Sequence, residues 1–263
     1  MGIYSRDYFR REEGLRGKLV FGIIGLTILI YAAQGILLGR GEIDLAQILG
    51  VVPSKLIGRG WVWQLVTHTL VHEPYAIWHL AFNMLFLYWL GVDVAEIYGT
   101  QRFLLLYLGG AATCALTYCG FAYALGQTDI PAIGASGAIM AVAVVGAFLF
   151  PSRTVVFMYV LPMPLWLLVT IYVGLDLYYP LAGLRSWLSS AGHLGGALFG
   201  FLCHRFHLDS PDPVRILSLF RKLLSTGPST SEVDRILDKI NQQGIAALTD
   251  GEREVLKRAS KER

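Results

Sequence analysis

Four polar side chains in otherwise apolar surroundings carry the chemistry of this chain. Ser136 sits in Gly134-Ala135-Ser136-Gly137, a few residues inside a long apolar stretch, and His193 sits equally shallow inside a later one. A third stretch holds His79 and Asn83, which at i and i+4 share one face of a helix. Polar groups are costly in hydrocarbon, so polar residues at matching depth in several apolar stretches mark a site. A hydroxyl beside an imidazole is a weak nucleophile with its base. Two donors on a shared helix face suit a developing oxyanion, and the Ser136 N–H, near a helix start and preceded by Gly134, supplies another. The chemistry expected is hydrolysis inside a membrane.

Positioning these groups requires spans. The 263 residues are 54% hydrophobic and 16% charged, with a mean hydropathy of +0.53; soluble domains average about 25% charged residues. Crossing a hydrocarbon layer of about 30 Å takes about 20 apolar residues. Such runs occur at 19–38, 77–97, 103–125, 132–150, 155–179 and 187–204, which predicts an all-α, polytopic membrane protein with six spans. The first run carries no charge and no small-residue cleavage pattern after it, so it reads as a retained span.

Arg6, Arg10, Arg11, Arg16 and Lys18 precede the first run, and Arg205, Arg215, Arg221 and Lys222 follow the last, which predicts both termini in the cytosol. Arg102 and Arg153 then fall inside, and residues 126–131, without a basic residue, fall outside. Arg40, Lys55 and Arg59 in the long first outer loop are a mild exception. In this topology the second, fourth and sixth runs all begin on the outer side. His79, Asn83, Ser136 and His193 then share one level, with Ser136 about one turn, or roughly 6 Å, inside its span. The net charge of +3 points to no nucleic-acid partner.

Contact between Ser136 and His193 needs two helices in close approach. Gly192, Gly196 and Gly200 recur at every fourth residue in the sixth run, as do Gly137 and Ala141 in the fourth; small residues at that spacing let backbones meet in lipid. Cys114, Cys119 and Cys203 give neither a disulfide framework nor a zinc pattern and read as packing residues. His68 and His72 are followed by Glu73, but Pro74 breaks the helix and H-E-x-x-H is missing, so no metal is expected. No cofactor is implied. Trp61, Trp63, Trp78 and Trp187 read as anchors at the outer interface. Asp176, near the outer end of the fifth run, has no evident role, and a serine–histidine pair needs no third member.

Composition divides the chain into a cytosolic segment (1–18), a membrane domain (19–208), a linker able to hold a helix (209–230) and a small helical extension (231–263). Pro211, Pro213 and Ser225-Thr226-Gly227-Pro228 are breakers. Ser229-Thr230-Ser231-Glu232 reads as a capping box before Val233, Ile236, Leu237 and Ile240, with Gly244 as the stop. Thr249-Asp250-Gly251-Glu252 repeats the pattern before a second helix ending near Lys261. This hairpin is too small to bury a core alone.

These motifs together resemble the rhomboid family of intramembrane serine proteases, over about residues 15 to 207. Gly134-Ala135-Ser136-Gly137 looks like the family's G-x-S-G segment, His193 to Gly200 like its H-x-x-G-x-x-x-G, and His79 to Asn83 like its H-x-x-x-N. Residues 91–110, with Glu96, Gly99 and Arg102-Phe103, are similar to its second-loop signature. Two departures stand out: Trp63-Gln64 where the family often has Trp-Arg, and Gly192 where it often has alanine. The tail is similar to a short extension on some bacterial rhomboids. The resemblance implies Ser136 as nucleophile, His193 as base and later acid, and His79, Asn83 and the Ser136 N–H as oxyanion donors. It also implies single-span substrates that enter between the second and fifth helices, with Pro162 and Pro164 keeping the fifth helix irregular. They would be cut near their outer boundary, after a small residue. A bacterial plasma membrane is the expected location. The competing expectation is a rhomboid-like protein that binds membrane helices without cutting them; such proteins usually lack the serine or the histidine, and this chain keeps both. A transporter lacks support, since no repeat or discontinuous helix pair is present.

Overall fold

The computed structural model describes residues 6–41, 43–157, 161–184, 187–206, 230–244, 247–253 and 255. The chain forms two compact units, residues 1–211 and 212–263. In the first unit, α1 spans Arg6–Gly39, and its Gly17–Gly39 portion is long and apolar enough to cross a membrane. From Arg6 onward the segment expected before residue 19 is helical and continuous with the span, Arg-Arg-Glu-Glu at residues 10–13 being strong helix formers.

The connection that follows folds into α2 (Leu45–Leu49), α3 (Pro53–Gly58), α4 (Gln64–Thr67) and a 3₁₀ turn at His68–Leu70. Asp44 caps α2 by accepting the Ala46 N–H at 2.9 Å, and Pro53 opens α3, where a missing N–H costs nothing.

The next helix, α5 (Ile77–Ala124), is 48 residues long. Straight, it would reach about 72 Å, more than twice the hydrocarbon thickness. It does not run straight. Gly99 adopts φ 76° and ψ 165°, outside the helical region, and divides the helix at the point where the sequence separates two apolar runs.

Two expected boundaries move. The fourth run was expected to be helical from residue 132, but α6 spans Ser136–Leu149. Val51 and Ala132 exchange backbone hydrogen bonds at 2.9 and 2.8 Å, and Gly134 has φ +110°, so the chain arrives extended. Ser136 therefore opens its helix rather than lying a turn inside it. In the fifth run, β1 (Thr154–Phe157) and β2 (Leu161–Pro164) form an antiparallel hairpin in the register Thr154↔Pro164, and only then does α7 (Leu165–Leu181) begin. Pro162 and Pro164 lie in β2, not in the helix. The β-branched Thr154-Val155-Val156 and two prolines disfavour helix there, and a two-stranded hairpin tolerates proline at its edges.

The last helix of the unit, α8, is Trp187–Phe206. The core joins α1, α5, α6, α7 and α8 through residues such as Val20, Leu87, Phe103, Ala138, Val142 and Leu165. Every residue of α6 from Gly137 to Gly146 is buried, so this helix is the pillar of the bundle. By contrast Leu29 and Ile36 on α1 and Tyr178 and Leu181 on α7 are exposed, the distribution a lipid-facing surface requires. Arg153, just before β1, pairs with Asp93 of α5 and lies over the rings of Trp89 and Phe150.

In the second unit, α9 spans Thr230–Gln243 and stops at Gly244, whose φ is +80°. Ile236 is buried. Thr249 and Glu252 form a reciprocal capping box: the Thr249 N–H donates to Glu252 Oε2 at 2.9 Å, and the Glu252 N–H donates to Thr249 Oγ1 at 3.3 Å. Lys239 donates to the same carboxylate at 2.8 Å, and these donors hold the Glu252 carboxyl down at about 2. The expected linker from 209 falls on residues outside those described, as do the end of the second tail helix, Arg215, Arg221 and Lys222.

Candidate active site

Ser136 is the first residue of α6, and its hydroxyl lies 2.8 Å from His193 Nε2 on α8. Three helices make this approach. A Cβ on Gly196 would overlap the Gly137 carbonyl, and one on Gly200 would stand 2.9 Å from the Ala141 Cα. At Gly137 the obstacle is Cys114 of α5, whose Cβ would be 2.6 Å away, and Gly192 would meet the same sulfur at 3.0 Å. Gly110 of α5 faces the Ala141 methyl, and Gly195 faces Thr117, two contacts the sequence reading did not single out. The three backbones meet at a junction where only small residues fit.

His193 has a second partner. Its Nδ1 lies 2.9 Å from Asp176 Oδ2 on α7, and Asp176 Oδ1 accepts from the buried Ser190 hydroxyl at 3.3 Å. Asp176 is only 3% exposed. The sequence reading left this carboxylate without a role, yet an ionisable side chain inside an apolar run at the level of His193 was itself the signal.

Gly134 lets His79 come close to the serine. A Cβ there would stand 3.0 Å from His79 Nε2 and 3.9 Å from Ser136 Oγ. Asn83 is buried and donates one Nδ2 hydrogen to the His79 carbonyl at 2.7 Å. An amide nitrogen carries two hydrogens, so a second remains.

Two histidines that sequence reading left as weak candidates hold the segment before Ser136. The His68 carbonyl accepts the Gly134 N–H at 3.0 Å, and His68 Nε2 lies 3.2 Å from the Ala111 carbonyl. His72 Nε2 accepts the Ala135 N–H at 3.4 Å, and its ring lies 5.1 Å from that of His79. Burial lowers both imidazoles; His72, further depressed by neighbouring His79, falls to about 3. A neutral ring is what accepting an N–H requires. The His72 backbone is gripped in turn by Gln34 of α1, which donates to its carbonyl at 2.9 Å and accepts its N–H at 3.3 Å. Tyr31 donates to the Pro74 carbonyl at 3.0 Å.

Gln64 is fully buried, accepts the Val52 N–H at 3.1 Å and donates to the Ile48 carbonyl at 3.2 Å. A neutral amide thus ties the outer loop together with both its polar ends satisfied. A cavity of about 390 Å³ adjoins the site, lined by Ser136, His193, His68, Tyr118, Ile133 and Leu188 among others.

Fold and site define a polytopic helical membrane protein with a hydroxyl–imidazole pair at the opening of its central helix. The profile of the Rhomboid domain matches residues 59–209, and that of a family of unknown function matches residues 229–262. The chain belongs to the rhomboid family. It is 30% identical over 178 residues to rhomboid protease GluP of Bacillus subtilis, covering 68% of this chain and 32% of that protein. It is 32% identical over 146 residues to RHOMBOID-like protein 12, mitochondrial, of Arabidopsis thaliana, covering 49% and 43% respectively. With Rhomboid protein 1, mitochondrial, of Saccharomyces cerevisiae the identity is 31% over 128 residues, covering 48% and 36%. The chain therefore spans less than half the length of each of these relatives.

Proposed function

We propose that this chain is an intramembrane serine endopeptidase that cuts transmembrane-segment substrates near the outer membrane boundary. The observation that carries the reading is the 2.8 Å approach of Ser136 Oγ to His193 Nε2 at the first turn of a buried helix. Ser136 Oγ attacks the scissile carbonyl carbon as His193 Nε2 takes its proton; the carbonyl π electrons move to oxygen. His79, the remaining Asn83 N–H and the Ser136 N–H serve as donors to the oxyanion. His193 then returns the proton to the leaving amine, and water repeats the cycle on the acyl-enzyme.

Six crossings serve this chemistry: α1, the two halves of α5, α6, α7 and α8. At 14 residues α6 is about 21 Å long, shorter than the hydrocarbon layer, so its outer end lies within the membrane and water reaches Ser136 from outside. Substrate enters between α7 and the first half of α5. Among the described residues α7 buries only Leu165, Leu168, Asp176 and Pro180, the packing of a helix that yields. The basic N-terminal residues place both termini in the cytosol, and the membrane is a bacterial plasma membrane.

The test is fluorophosphonate labelling of the detergent-solubilised protein together with cleavage of a model single-span substrate, wild type beside Ser136→Ala and His193→Ala. Labelling and cleavage that vanish in both variants are the expected result. A folded wild type that neither labels nor cuts would instead be a rhomboid-like protein that binds membrane helices without hydrolysis.

A further inference from the structure

The carboxylate behind His193 lies outside the serine–histidine pair on which the proposed mechanism rests. The geometry points to Asp176 as a positioning residue for His193, so that α6, α8 and α7 contribute three linked groups, Ser136, His193 and Asp176, to one proton path. This rests on the protease reading and deepens it.

Three observations support the assignment. His193 makes a hydrogen bond from each ring nitrogen, to Ser136 through Nε2 at 2.8 Å and to Asp176 through Nδ1 at 2.9 Å. A carboxylate accepts, so the Nδ1 hydrogen points to Asp176 and the Nε2 lone pair is left facing the serine hydroxyl. That is the tautomer able to take the serine proton. Next, the carboxylate is itself fixed: Ser190, one turn before His193 on α8, donates to its other oxygen at 3.3 Å. Finally, the pairing is buried, with the Asp176 side chain 4% and the His193 side chain 17% exposed, so little water competes for either bond.

The step balances without further reactants. As Oγ bonds to the carbonyl carbon, its proton passes to Nε2 and the ring becomes an imidazolium. Asp176 keeps its charge opposite Nδ1–H and stabilises that cation without taking the proton. The proton leaves again from Nε2 to the amine.

A purely structural Asp176 would tie α7 to α8 and nothing more, and the two roles separate in the asparagine variant. Asp176→Asn keeps a hydrogen-bonding side chain of the same size; with Ser190 still donating to its oxygen, the amide N–H faces Nδ1, which can meet it only as an acceptor. That leaves the hydrogen on Nε2, where it blocks proton transfer. The expected result is a loss of about 10²-fold or more in kcat with KM unchanged, and partial recovery in Asp176→Glu. The acid limb of the pH–rate profile should also move to lower pH, because the imidazolium has lost a facing negative charge. Among the described residues, Ser136 of α6, Cys114 and Tyr118 of α5 and His68 of the outer loop line the cavity with His193, and His79 of α5 is electrostatically coupled to it. All are the same in both proteins, so the difference between the profiles isolates Asp176.

A wild type that cuts the model substrate beside an Asp176→Asn protein within threefold of it, with an unmoved acid limb, overturns the assignment and leaves the serine–histidine pair standing. A wild type with no labelling and no cleavage removes the protease reading itself. If Asp176→Asn does not fold, Ser190→Ala keeps the carboxylate and removes only one of its donors. The relieved carboxylate then holds the imidazolium more strongly and the acid limb moves upward; an unmoved limb in that variant overturns the proposal equally.

Discussion

Asn83 shows how one hydrogen bond sets the size of an effect. Its Nδ2 already donates to the His79 carbonyl, so in the proposed mechanism it has one hydrogen, not two, for an oxyanion shared with His79 and the Ser136 N–H. Asn83→Ala is therefore expected to lower kcat by about 10²-fold or less, with cleavage of a model substrate as the readout. At this scale much was legible. A serine and a histidine inside apolar runs are conspicuous because hydrocarbon tolerates them poorly, and G-x-S-G gave the serine its flanking glycines. Asp176 was equally conspicuous but had no visible partner, since its partner lies 17 residues away on another helix and only packing brings them to 2.9 Å. His68 and His72, at i and i+4 with Glu73 next, have the spacing of metal ligands without the full motif. Their use as acceptors and anchors for Gly134 and Ala135 depends on backbone groups, which residue types do not advertise.

Between elements the governing quantity is the distance of closest approach. Gly196→Val would drive side-chain carbon into the Gly137 carbonyl and push α8 from α6. A displacement near 1 Å separates hydroxyl from imidazole, so turnover should fall about 10²-fold while the protein still inserts into membranes. Unchanged activity would refute the close approach. Gln34→Ala tests a different joint. It leaves the buried N–H and carbonyl of His72 without the partner α1 provides, at a cost of about 1–3 kcal/mol for each group, read as a lower Tm in detergent. The i, i+4 glycines were readable as a pattern because helical period is regular. The β1–β2 pairing and the late start of α6 were not, because an apolar run reports burial in lipid and not backbone conformation. Gly134 was noted beside the serine, but that it holds φ +110° is a property of the folded chain alone.

For the molecule as a whole, the buried imidazoles of the outer loop link stability to pH. The folded-state value of His72 lies near 3, below the ordinary 6.5, so the fold favours the neutral ring. Above about pH 6.5 that contribution is present in full. As pH falls from 6.5 toward 3 the unfolded chain takes up a proton the folded chain refuses, and stability declines. Tm measured between pH 7 and pH 4 should drop, and His72→Gln should flatten the slope. A pH-independent Tm would contradict the burial of a neutral ring. The polytopic helical class was plain from composition, since repeated apolar runs have few other uses.

Because Ser136 opens α6, the peptide dipoles of the pillar helix sum to a partial positive charge of about half a unit at that end. It is directed at the spot where negative charge is to develop, as at helix-bound phosphates. Packed side chains bury α6 from Gly137 to Gly146, so mobile ions that screen such a field in water within about 10 Å have no access along its length. In the proposed mechanism the nucleophile, one oxyanion donor and the field that favours attack all come from this one helix. The consequence is a field that salt can screen only through the cavity at the outer end of α6 and not along the helix.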